Sequence, residues 1–190
     1  MSTRKNDDIK ANIRKISAAD DDELAADFAE GGACTHAFLE AIQKLSGPDS
    51  RPTFMDIVRY MNQKMMQGNL RQSPLLSYSH EDFDPTDEIF RVVKNKRGRK
   101  FAVIIGINYT QSGYPKLILE GSHKDALLIR DYIMREGFSE EDIFLLLDDG
   151  VCIEPTGGNI FAAFFKVIEE SQRGDSVFVH FSGNISTLFC

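Results

Sequence analysis

Lys100 to Ile107 reads KFAVIIGI, with basic residues before it and Asn108 after it. A run this short, continuously apolar and β-branched predicts a strand buried on both faces, as in a parallel sheet. Residues 122–138, SHKDALLIRDYIMREGF, follow with Ala126, Ile129, Ile133 and Met134 at helical spacing. Ser122 is the expected N-cap and Gly137 the expected stop. EDIFLLLDD (141–149) predicts a second buried strand, PTGGNIFAAFFKVIEESQRGD (155–175) a second amphipathic helix, and DSVFVHFSG (175–183) a third strand. Such β-α-β-α-β alternation implies a parallel sheet with crossover helices. Ligands of such sheets sit at the carboxyl ends of the strands, so Asn108, Asp148, Asp149 and the Ser182 to Asn184 stretch are placed on the functional rim.

The preceding ninety or so residues have a different texture. IKANIRKIS (9–17) reads as a strand and the acidic AADDDELAADFAEGG (18–32) as a loop. ACTHAFLEAIQKLSG (33–47) predicts a helix with Phe38, Leu39, Ile42 and Leu45 on one face. TFMDIVRYMNQKMMQG (53–68) predicts another, with Met55, Val58, Met61 and Met65 aligned. SPLLSYS (73–79) is strand-like, DFDPTDEIF (82–90) is turn-rich, and KNKRGRK (94–100) is a basic, apolar-free connection between the halves. The expected divisions are a flexible start at 1–10, a first segment at 11–93, the connection at 94–100, a second segment at 101–183 and a distinct tail at 184–190.

Composition narrows the function classes. The chain has 190 residues, 42% of them hydrophobic, and a net charge of −7. That supports one well-filled domain or a domain with a small lobe, and it argues against nucleic acid as a partner. The apolar runs are strand-sized, so no membrane span is expected, and MSTRKNDDIK lacks the apolar core of a secretory signal. Three cysteines, Cys34, Cys152 and Cys190, form no even framework and no CxxC pair, which points to a reducing, cytoplasmic setting without a cysteine-based zinc site. A nucleotide-binding domain is disfavoured, because GINYTQSG is not a G-x-G-x-x-G turn and EPTGGN lacks the lysine of a P-loop.

Taken together, the motifs resemble the metacaspases, caspase-like cysteine peptidases. In the second half the opening of the large catalytic subunit is matched by a first strand ending in GIN, by L-x-G-x-x-x-D at Leu119 to Asp125, and by H-[YF]-S-G at His180 to Gly183. In the first half ISAADDDELAAD, GGACTHAFLEAI and QSPLLSYSHEDFD are similar to parts of the small subunit. The resemblance covers about residues 11 to 183, in the order of the type III metacaspases, where the small-subunit-like segment comes first. A circular permutation of this kind is physically tolerable when termini lie at the surface. The resemblance implies an α/β, caspase-like three-layer sandwich, a mostly parallel sheet flanked by helices, here missing the strand that carries the catalytic Cys.

It also implies a cysteine endopeptidase that cuts proteins or peptides after Arg or Lys, associated with programmed cell death. The mechanism needs a thiolate activated by a His directly after H-[YF]-S-G. Asn184 occupies that His position, and an uncharged amide is no general base. The nucleophilic Cys lies beyond the matched region, so the chain as written is expected to be inactive. The codons for Gly183-Asn184 can contain GTAA, the usual opening of an intron, so NISTLFC (184–190) is read as translated intron. The alternative is a catalytically dead caspase-like module acting through protein binding. By the resemblance, Asp125 and Ser182 line the pocket for the Arg or Lys of the substrate, as a carboxylate suits a guanidinium; Asp125 reads equally as a charge favoured in the first turn of its helix. Lys96, Arg97, Arg99 and Lys100, on a segment read as mobile, form the expected processing site.

Other reactive groups have plain readings. Cys34 is expected in the core, Cys152 has no basic neighbour in sequence, and Cys190 sits in the tail. His180 reads as a satisfied strand histidine. His36, His80 and His123 are scattered without metal-ligand spacing, and Asp148 with Asp149 reads as a solvated pair. No cofactor is expected in this chain, calcium belonging to carboxylates of the complete protein.

Overall fold

The structure, a computed structural model, describes residues 11–18, 31–47 and 49–184. The expectations for 1–10 and for most of the acidic stretch lie outside these residues, and of the tail only Asn184 is described. The chain divides into two compact units, one of residues 1–26 and 37–90, the other of residues 27–36 and 91–190.

In the first unit, β1 (Arg14–Ser17) pairs antiparallel with β2 (Leu75–Tyr78), Arg14 opposite Tyr78 and Ser17 opposite Leu75. The helix α1 (Ala33–Leu45) begins in the second unit and continues into the first. Its deepest side chains are Ala37 and Ala41, while the expected stripe of Phe38, Leu39, Ile42 and Leu45 is half-buried. The helix α2 (Phe54–Gln67) starts on a capping box, in which Thr53 and Asp56 each accept the other's backbone N–H. Its next amides are taken by the turn-rich segment, Phe54 N–H by Glu88 O and Met55 N–H by Pro85 O. Phe54, Ile57, Val58, Met61 and Met65 form its buried face. Met55, expected there, is only half-buried, because Phe54 takes the inward position against Phe83 and Phe90.

The second unit holds a parallel sheet of β3 (Lys100–Gly106), β4 (Ile143–Leu147) and β5 (Ser176–Ser182) in the order β4-β3-β5. The central β3 is buried from Phe101 to Gly106, as its unbroken apolar run requires. Its odd-numbered side chains, Phe101, Val103 and Ile105, pack with Ala163 and Val167 of α4 (Gly157–Glu170). The other face meets α3 (Ser122–Arg135), which buries Ala126, Ile129, Tyr132 and Ile133. Met134, expected on that face, is exposed, and Tyr132 takes the inward place. Gly106 lets α3 begin against the sheet, since a Cβ there would lie 2.7 Å from Ser122 O and 3.0 Å from the Ala126 side chain. Ser122, buried, is the first helical residue, and Gly121 is the N-cap in place of the expected Ser122. At the far end Gly137 N–H bonds Met134 O and Phe138 N–H bonds Ile133 O, a Schellman closure at the expected glycine. Helix, sheet and helix give the three layers of a caspase-like fold.

The basic stretch is not the loose connection expected. Arg99 pairs with Asp142 at 2.7 Å and Glu170 at 3.3 Å, its guanidinium sits 4.4 Å over the Phe101 ring, and its N–H donates to Asp175. Asn95 donates to Gly174 O, and Lys100 is the first residue of β3, opposite Ser176. Lys96 and Arg97 are exposed. Among the described residues, no helix is long and apolar enough to cross a membrane.

Candidate functional site

The carboxyl ends of β3 and β5 bring the first turn of α3 against Ser182, which lies opposite Gly106 in the ladder. Asp125, in that turn, is 2% exposed. Its Oδ2 accepts from the Ser182 hydroxyl at 2.9 Å and its Oδ1 from the Gly32 N–H at 2.9 Å, while the Thr35 hydroxyl donates as well. The two residues singled out together from sequence are thus hydrogen-bonded to each other. These bonds join the start of α1, the first turn of α3 and the end of β5, so the carboxylate is held by more than its own helix terminus. Burial pushes the Asp125 carboxyl above its ordinary range; bonds from Ser182, Thr35 and Gly32, and the neighbouring His36, oppose that rise.

Beside it lies a second carboxylate. Asp148, expected to be solvated, is mostly buried and accepts the N–H of Asn108 at 2.8 Å and of Tyr109 at 2.7 Å. His123 Nε2 reaches it at 2.5 Å, so this histidine is not an isolated one. Burial raises the Asp148 carboxyl, but the two amides and His123 outweigh it and hold the group below its usual range. Asp149 is exposed and accepts from Val151 and Cys152 N–H. Tyr109 is left-handed, with φ of 57°, and its hydroxyl donates to Asn184 O at 2.8 Å. The Asn184 side chain donates to Leu117 O at 3.3 Å.

No described group takes up the work of a thiolate and its base. Burial and the Asp125 charge push the Cys34 thiol up to about 12, and burial with Asp149 raises Cys152, so neither is a ready nucleophile. Cys190 lies outside the described residues. His180 is not the satisfied histidine expected: its Nε2 is buried without a partner, and burial lowers its pKa to about 4. The position follows from strand alternation, which turns His180 inward opposite Ile104. His80 contacts Ser79 Oγ at 2.8 Å, in the other unit. Among the described residues no three His, Cys, Asp or Glu side chains come together as a metal site.

The exposed Lys96 and Arg97 are distant in structural character from the bonded Arg99 and the strand residue Lys100. Sequence reasoning missed Gly32 and Thr35 as partners of Asp125, and missed the His123–Asp148 contact. GGACTH was visible as a motif, but nothing in its spacing pointed to a residue ninety positions away. For His123 and Asp148 the usable signal was their shared location at the rim.

A family model described as metacaspase, peptidase C14 domain, matches residues 100–188. The chain is 32% identical over 196 residues to "Metacaspase III c" of Phaeodactylum tricornutum, an alignment covering 95% of this chain and 57% of that protein. It is 42% identical over 87 residues to Metacaspase-6 of Arabidopsis thaliana, covering 45% of this chain and 23% of that protein. Metacaspase-1B of Aspergillus oryzae is 38% identical over 90 residues, covering 46% of this chain and 21% of that protein. The chain therefore spans little more than half the length of the first of these relatives and about a fifth of the others. The C14 match lies on the very segment that builds the parallel sheet and its rim, and similarity to a metacaspase runs along nearly all of the sequence, so the likeness supports a metacaspase.

Proposed function

We propose that this chain is part of a cysteine endopeptidase that cuts proteins after Arg or Lys, with Asp125 and Ser182 receiving the substrate cation. The small-subunit-like segment precedes the large-subunit-like one, and the cysteine usage suits a cytoplasmic setting. The observation that carries the reading is the buried Asp125 carboxylate bonded to Ser182 at the strand ends. A carboxylate fixed in a site of low polarity selects a guanidinium or ammonium over neutral side chains. Catalysis in the complete enzyme needs a thiolate, a base to activate it and donors for the oxyanion. Asn184, at the base position, supplies no proton acceptor of the required strength.

The test is an assay of the protein encoded by the spliced transcript on Arg-, Lys- and Asp-terminated fluorogenic peptides. Cleavage of the first two only is expected, and Asp125→Asn should lower kcat/KM for them about a hundredfold. Preference for Asp, or indifference to Asp125→Asn, would defeat the reading. Asn184 itself favours a second one, a caspase-like module that binds without cutting. That reading gains if the transcript-encoded protein retains Asn184, has no turnover and still binds Arg-terminated peptides.

A further inference from the structure

We infer that Gly32 and Thr35 are positioning residues of the acidic subsite, their N–H and hydroxyl aiming the Asp125 carboxylate at a cationic side chain. The inference rests on the reading of Asp125 and Ser182 as that subsite. A carboxylate that receives a cation must be ionised and held in one rotamer. Burial works against the first requirement, and a single bond to Ser182 leaves the second open. Gly32 and Thr35 meet both: one fixes Oδ1 at 2.9 Å, and both favour the charged form.

The approach is built into the chain. Gly31 has φ of 120°, and a Cβ there would lie 2.6 Å from Asp125 Oδ1 and 2.8 Å from His36 Nε2. Only glycine at 31 lets the following amide face the carboxylate. Thr35 is buried at 7% exposure in the first turn of α1, and its hydroxyl is hydrogen-bonded to the Asp125 carboxylate. The donors thus come from one stretch, GGACT, delivered to a residue of another motif.

The test follows the Asp125 carboxyl by carbon-13 NMR, and benzamidine binding by calorimetry, in the wild type, Thr35→Val, Thr35→Ser and Gly31→Ala. Thr35→Val should move the Asp125 titration upward and weaken benzamidine binding about tenfold near pH 6. Thr35→Ser should restore both. Gly31→Ala, which keeps the hydroxyl but displaces the amide, should shift the titration in the same direction and stands in if Thr35→Val does not fold. An unmoved titration in folded Thr35→Val or Gly31→Ala overturns the positioning role. A moved titration with no benzamidine binding to the wild type instead defeats the subsite reading and leaves the positioning role standing.

Discussion

His123 Nε2 stands 2.5 Å from Asp148 Oδ1, tying the start of α3 to the end of β4. Two further donors, the amides of Asn108 and Tyr109, converge on the same carboxylate. Replacing it by a neutral amide leaves one of these donors facing an NH2 group.

Asp148→Asn should therefore destabilise the protein by about 2 kcal/mol in urea unfolding at pH 7. The native carboxyl is held below its unfolded value, so its contribution is present above the ordinary Asp range and fades as pH falls through the depressed native pKa. The gap between wild type and variant should narrow on acidification. A constant gap down to strong acid would show that packing, and not charge, holds the rim.

A second pH dependence comes from His180. Its imidazole goes from 6.5 in the open chain to about 4 when folded, because burial penalises the charged ring. The unfolded chain binds the proton more readily, so stability is full above pH 6.5 and declines as pH falls toward 4. Between pH 7.5 and 5 the loss should be about 2 kcal/mol. His180→Leu, which also removes the unpartnered Nε2, should flatten that limb in urea titrations. An equally steep limb in the variant would assign acid sensitivity elsewhere.

On Arg- or Lys-terminated peptides, a polypeptide of these 190 residues should give no turnover above background, with or without calcium. Asn184 offers no base, and the thiols of Cys34 and Cys152 are held protonated. Turnover abolished by Cys190→Ala would overturn the assignment of position 184.

Proteolysis distinguishes the basic residues of the connection. Arg99 and Lys100 are bound into ion pairs and the sheet, whereas Lys96 and Arg97 lie in an exposed turn. Brief trypsin treatment of the native protein should cut after Lys96 or Arg97, and self-processing of the active enzyme should use the same bonds. Mass spectrometry that finds early cuts only after Arg99 or Lys100, or none between Val93 and Phe101, would count against the site.

The apolar surface of the second unit gives a further expectation. Val177, Val179 and Phe181 on β5, and Phe161, Phe165 and Ile168 on α4, are each at least 38% exposed. The protein should bind a hydrophobic dye strongly, and Phe165→Lys with Val179→Lys should reduce that signal without lowering the melting temperature. Undiminished dye binding would place the accessible apolar surface elsewhere.

The parallel sheet was legible because Phe101 to Ile105 have no polar interruption, and because Gly137 and the amphipathic spacing mark the helices through local chemistry. Asp125 and Ser182 were legible as motif residues. The partners Gly32 and Thr35 were not, since spacing along a chain carries no information about a bond that crosses 93 positions. Asp148 was misjudged because a strand-end acid is solvated unless nearby backbone amides turn toward it, and that turn depends on the left-handed Tyr109. The basic stretch was misread for a similar reason: its charges have partners in β5's approach and in α4 that no local pattern announces.

The bond from Gly32 to Asp125 closes a loop of 93 residues, and that from Asp125 to Ser182 one of 57. Long loops are the slow steps of chain folding, because their ends must find each other before any contact rewards the search. On that ground the Gly32 bond, the longer of the two, is expected to form after the local helices. Protection against amide exchange at Gly32 should then rise later in refolding than protection within α3, a difference that pulse labelling would read.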